Sequence, residues 1–248
     1  MTAGSRLELV ISCEHGGCRV PAEYRALFAD AEPVLRSHRG FDAGALALAE
    51  ALAETFTAPL AYSETTRLLV DLNRSLRHPK LYSEYSRVLG PAERRELLGA
   101  HYFPYRERVE RLVAEGIARG ALVLHVSAHS FTPVLDGQLR SADIGLLYDP
   151  SRPAEKALAR EWSAALAKSA PEWPVRRNYP YLGAADGLTT QLRKRFGGAE
   201  YLGVELEVNQ RLAAEPGWPA QARRLAASLE AVLGGGADFA FPDSGRDR

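Results

Sequence analysis

Apolar runs of strand length recur at residues 7–13, 68–72, 121–126, 144–148 and 201–208, and the segments between them carry helical spacing. A short helix is expected over 21–28 behind Pro21, and Asp42 is a candidate N-cap for the alanine- and leucine-rich run that ends at Phe56. Residues 91–119 read as a long amphipathic helix, interrupted near Pro104 and stopped by Gly120. Further helices are expected over 153–168, 188–196 and 219–233. Strands alternating with helices predict an α/β fold with a mostly parallel central sheet covered on both faces. Ligands of such a sheet collect beyond the carboxyl ends of its strands. Residues 127–139 are too many for a tight turn and are expected to form an active-site loop. One domain is expected over 1–236, and the polar tail 237–248 beyond Gly234-Gly-Gly236 is expected to be flexible.

Composition narrows the partners. The 248 residues are 46% hydrophobic, enough for a sizeable core. Lys plus Arg and Asp plus Glu both number 31, so no net field favours nucleic acid or an anionic membrane. A small-molecule substrate is the expected partner, with the protein a monomer or small homo-oligomer. The only cysteines are Cys13 and Cys18, so no disulfide framework is expected and a reducing cytoplasm fits best. No apolar run reaches the roughly 18 residues of a spanning helix, and no secretory leader is expected.

Residues suited to a hydrolytic metal centre gather at four expected strand ends. They are Glu14-His15, Asp71-Leu-Asn-Arg74, His125 to His129, and Glu205-Leu-Glu207. Imidazole and carboxylate suit a borderline ion such as zinc, and a nearby Glu can take the proton of an attacking water. An Arg offers a two-pronged donor to a substrate carboxylate. Gly16 and Gly17 would let the main chain approach an ion or substrate closely.

Each residue also has a purely structural reading. A lone histidine at a strand end is more often hydrogen-bonded scaffolding than a ligand. His125 falls inside its apolar run and reads as a satisfied core histidine, whereas His129 lies beyond the run and is favoured for the site. Glu205 and Glu207 share one face of a strand, which is costly unless something positive faces them. Asp42 is open to both roles, helix cap or ligand. Asp186-Gly187 is expected to turn and cap the helix through Thr189, and Asn178-Tyr-Pro-Tyr181 has the character of a rigid substrate-lining loop.

These pieces together resemble the N-formylglutamate amidohydrolase family. The likeness lies in Cys13-Glu-His-Gly-Gly17 with Pro21, Arg39-Gly-Phe-Asp42 with Gly44-Ala45, Ser63 to Arg67, Val70-Asp-Leu-Asn-Arg74, Pro104-Tyr105, His129-Ser-Phe131 and Gly203-Val-Glu205. The resemblance implies a fold similar to zinc carboxypeptidases and aspartoacylases, with a divalent metal, zinc by family, at the strand ends. Members resembling the histidine-degradation enzyme hydrolyse N-formylglutamate to formate and glutamate. By this likeness His15 and His129 are the metal-ligating histidines and Asn73-Arg74 grips a substrate carboxylate. Glu205 is the general base with Glu207 in reserve, and Arg67, Ser130 and Tyr181 are expected on the substrate. Those relatives place a ligating Glu three residues after the first His, where this chain has Cys18. The third ligand is then sought at Asp42 first, Glu14 second and Cys18 last. Arg106 stands where histidine-pathway members often carry His, which leaves another acyl amino acid open as substrate. A metallopeptidase or cell-wall peptide amidase, and a catalytically silent ligand-binding member, remain the alternative readings.

Overall fold

In the computed structural model, which describes residues 6–235, a six-stranded sheet runs through the centre. In chain order the strands are β1 (Leu7–Cys13), β2 (Leu60–Tyr62), β3 (Leu122–Phe131), the two-residue β4 (Val134–Leu135) and β5 (Gln138–Leu139), β6 (Ile144–Leu147), β7 (Val175–Arg177) and β8 (Tyr201–Asn209). The central order is β2-β1-β3-β8-β6-β7, parallel except where β6 meets β8; β4 and β5 form a separate hairpin. The helices are α1 (Glu32–Leu35), α2 (Ala45–Phe56), α3 (Pro91–Leu97), α4 (Phe103–Ala118), α5 (Pro153–Ser169), α6 (Leu188–Arg195), α7 (Gln210–Ala213) and α8 (Trp218–Gly234), with a 3-10 segment over Ala22–Phe28. Among the described residues no helix is long and apolar enough to cross a membrane. The tail expected over 237–248 lies outside the described residues.

Alternation along the strands sorts the side chains. Ile11 and Cys13, Leu124 and Val126, Leu202, Val204 and Leu206, and Ile144 and Leu146 point to one face, where α2, α5 and α8 cover them. On the other face Val10, Val123 and Tyr201 meet α4 and α6. Toward the carboxyl ends that second face turns polar, through Ser12, Glu14, His125, Ser127, His129, Glu205 and Glu207.

Several expectations are corrected. Residues 68–72 are buried but form turns rather than a strand, because this segment finds its hydrogen bonds outside any sheet: Asp71 N donates to Leu81 O, Ser83 Oγ to Leu68 O, and Arg106 Nη1 to Leu72 O. An apolar run alone cannot separate a strand from such a buried loop. The strand expected over 121–126 continues to Phe131, fully buried, since β8 pairs with it to the end. Only the rest of the expected loop, from Thr132, leads into the β4–β5 hairpin. The helix expected to begin at Asp42 starts at Ala45 behind Gly44, whose φ of 82° needs no Cβ. The long 91–119 helix is broken by a π-turn over Leu98–Tyr102, and Pro104 sits in the first turn of α4. Edge strands β2 and β7, three residues each, are too short to leave a period-two signal.

Candidate active site

The ends of β1 and β3 and the loops after them converge on Asp42. His15 presents Nδ1 to Asp42 Oδ2 at 3.3 Å, and His129 presents Nδ1 to the same oxygen at 2.9 Å. The two rings lie 5.2 Å apart between centroids. Each outer nitrogen is held by a second carboxylate: His15 Nε2 by Asp71 Oδ1 at 2.8 Å, and His129 Nε2 by Glu14 Oε2 at 2.9 Å. Glu14 is itself fixed by hydroxyls, with Tyr105 donating at 2.7 Å and Ser127 at 2.6 Å. Arg67 closes the array by donating to Asp42 Oδ1 at 3.2 Å and Asp71 Oδ2 at 2.8 Å.

Burial by itself would favour the neutral form of every one of these groups, yet the opposite charges beside them prevail. Glu14, Asp42 and Asp71 are held well below the usual carboxylate range. His15 is raised by Asp71 and Asp42, and His129 is raised strongly by Asp42 and Glu14. Positive charge is thus favoured where Nδ1 of each ring meets Asp42.

Those atoms fit a divalent cation. Ligand atoms of His15, Asp42 and His129 lie within 4.8 Å of one another. Tetrahedral bonds of about 2.0–2.1 Å place donors about 3.3 Å apart, close to the 3.3 and 2.9 Å between Asp42 Oδ2 and the two Nδ1 atoms. A ring whose Nε2–H donates to a carboxylate leaves the Nδ1 lone pair free for an ion. Glu14 therefore stands behind His129, and Cys18 is half-buried among apolar neighbours.

A cavity of about 680 Å³ opens over this cluster and is lined also by Asn73, Arg74, Ser130, Tyr181, Glu205 and Glu207. Arg74 Nη1 donates to Asp186 O at 2.9 Å, while its buried Nε makes no hydrogen bond among the described residues and lies 4.0 Å from Asp71 Oδ2. Asn73 Oδ1 accepts from Leu188 N at 2.7 Å and so caps α6, a role expected of Asp186-Gly187. Its Nδ2 lies 3.4 Å from His129 Nε2. Glu205 Oε1 accepts from the hydroxyl of Thr189 at 2.7 Å. Glu207, beside His129 in the sheet register, is pushed up to about 7 by burial, and its Oε2 is unpartnered among the described residues. Ser130 Oγ is engaged with Ala43 O and Gln210, and Tyr181 OH accepts from Arg140 at 3.1 Å.

Other residues sit elsewhere than sequence reasoning expected. Gly17 is needed because a Cβ there would strike the Glu64 backbone at 2.7 Å, so the close approach is to a neighbouring loop rather than to a ligand. His125, by contrast, is the satisfied core histidine expected, buried between Ser12 Oγ and Tyr201 OH, each at 2.8 Å. Arg106 lies outside the cavity, tying Leu72 O to Gln191 on α6. Tyr105, Ser127 and Thr189 were not singled out for the chemistry. For Ser127 a signal existed, since it shares strand parity with His125 and His129. Tyr105 and Thr189 come from helices that only packing brings to the site.

A mixed α/β sheet bearing such a cluster and flanking carboxylates at its strand ends has the build of a hydrolytic enzyme. The chain belongs to the N-formylglutamate amidohydrolase family, whose sequence pattern matches residues 7–214. It is 34% identical to a gene product of Agrobacterium tumefaciens of known structure, over 93% of this chain and 92% of that one, with a TM-score of 0.78. The N-formylglutamate amidohydrolase from Ralstonia eutropha JMP134 shares the fold at 21% identity, over 94% and 96% of the two chains, with a TM-score of 0.67. No curated protein matches the sequence.

Proposed function

We propose that the protein is a metal-dependent amidohydrolase that cleaves the linear amide of a small N-acylated acidic amino acid, of which N-formylglutamate is the simplest. The observation that carries this reading is the convergence of His15 Nδ1, Asp42 Oδ2 and His129 Nδ1 beneath a cavity that also holds Glu205 and Arg74. When bound by these three residues, a divalent ion such as zinc supplies Lewis-acid polarisation and a more acidic water.

The chain's own groups do the rest. Asp71 and Glu14 hold the outer ring nitrogens, so both histidines keep Nδ1 turned inward. Arg67 offsets the charge of Asp42 and Asp71. Arg74, which lines the cavity, takes a substrate carboxylate, and the Asn73 amide adds a donor beside it. Glu205, held by Thr189, accepts a proton from the attacking water and returns it to the leaving amine. The carbonyl carbon gains the water oxygen as its bond to nitrogen breaks, giving a carboxylate and a free amino acid.

Glu205→Gln should lower turnover of N-formylglutamate by roughly 10² to 10⁴. Near-normal hydrolysis by this variant, with the loss appearing in Glu207→Gln instead, would move the general base to Glu207. Metal content is the second check: less than about 0.2 equivalents after purification, with no activation by zinc or manganese, overturns the metal-dependent reading.

A further inference from the structure

We infer that the acyl group this site accepts is larger and more apolar than formyl, and that Leu135, Tyr181 and Leu182 form its seat. The inference rests on the hydrolase reading above and names its substrate class more closely. All three side chains line the cavity that holds His15, His129 and Glu205, yet they stay 37%, 46% and 67% exposed. An exposed apolar lining is open to a ligand or to a protein partner. Here it shares a cavity with the reactive groups, which favours the ligand. The volume agrees: about 680 Å³ falls in the roughly 300–1,000 Å³ range of pockets that enclose drug-sized molecules, more room than N-formylglutamate fills.

The wall is also built in advance. Leu135 sits on β4 just before the turn at Asp136 and Gly137, whose φ values of 51° and 75° suit a tight hairpin. At the base of that hairpin Arg140 donates to Tyr181 OH at 3.1 Å. Its guanidinium lies 5.0 Å from the Tyr181 ring centroid and 5.5 Å from that of Phe131. Ser141 N donates to Tyr179 OH at 3.1 Å, so the hairpin and the 178–182 loop are joined at two points. A preformed wall spares a ligand the cost of ordering it. A formyl group has no carbon beyond its carbonyl to reach such a wall. An alkyl or aromatic acyl group carries the carbons that such a wall would bury.

The test is calorimetric titration of the metal-loaded Glu205→Gln protein with N-formyl-, N-butanoyl- and N-hexanoylglutamate. Each methylene buried against the wall is worth about fourfold in affinity, so the hexanoyl compound should bind at least tenfold more tightly than the formyl one. Adding Leu135→Ser or Leu182→Ser should collapse that ratio; both side chains are exposed, so the variants fold. Equal or tighter binding of the formyl compound overturns the inference even if wild-type protein hydrolyses N-formylglutamate. The hydrolase reading fails separately, when the metal-loaded wild-type protein cleaves none of the three. If none of them binds either, both are overturned.

Discussion

The two faces of β3 are equally buried and are stabilised in opposite ways. Leu124, Val126 and Ala128 lie in the apolar core that α2, α5 and α8 cover. His125, Ser127 and His129, one residue out of step, are buried by hydrogen-bond partners from four other segments: Ser12 and Glu14 at the end of β1, Asp42, Asn73 and Tyr201. Apolar contact is non-directional and tolerates exchange among side chains of similar size. A buried imidazole or carboxylate needs a particular partner at a particular distance, and leaving it unpaired is costly. The same backbone therefore carries a scaffold on one side and a site on the other, and damage to each should read out differently.

The largest contrast is expected at Glu205→Gln, where turnover collapses while the denaturant midpoint stays near wild type. The opposite face gives the reverse: Leu124→Ala should cost about 2–5 kcal/mol of stability and leave kcat of the folded protein unchanged. Urea unfolding alongside steady-state kinetics checks both, and a Leu124→Ala protein that is fully folded but inactive would break the division.

At the base of the polar face, burial holds His125 at about 4, below its ordinary 6.5. The folded state keeps the ring neutral while the unfolded chain takes up a proton below about 6.5. Stability should fall as pH drops from about 6.5 to about 4 and then level off, by an amount on the order of 3 kcal/mol. The quantity to measure is the pH dependence of the urea midpoint of wild type minus that of His125→Gln; a flat difference across this window refutes the assignment.

Behind the residues that line the site, at fully buried Glu14 and Thr189, the expected effects shrink. Glu14→Gln keeps the shape but weakens the hold on His129 Nε2, and should reduce metal affinity about 10- to 100-fold. Competition with a chelator reads this directly, and unchanged affinity would show that Glu14 does not act through His129. Thr189→Val removes the hydroxyl that fixes Glu205 and should lower kcat by roughly five- to tenfold with KM moved less. Thr189→Ser should restore the rate. Failure of the serine variant to do so would make Thr189 a packing residue.

Much of the fold was legible because it follows from local patterns. The runs at 7–13, 144–148 and 201–208 became β1, β6 and β8 within about a residue, and the helices over 153–168 and 219–233 became α5 and α8. The segment at 68–72 departs from the strand its pattern suggests because its apolar residues serve a buried loop, whose backbone is satisfied by side chains from α4 and from residues 83 and 86. The local sequence at Asp42 suits a cap and a ligand alike, since a carboxylate before a helix has the same appearance in either case. Its two histidine contacts come from segments 27 and 87 residues away.

The amino-acid sequence by itself determined the α/β alternation, the apolar face of the sheet and the family, because each depends on residue type at short and regular spacing. It also placed His15 and His129 at strand ends, where sheets of this kind gather ligands, whereas Arg74 turned out to follow a buried loop and Glu205 to lie within β8. Only the tertiary structure decided which carboxylate faces both histidines, which ones stand behind them, and that Thr189 and Tyr105 reach in from helices. Those assignments turn on angstrom-scale distances between segments far apart in the chain, and no local pattern encodes them.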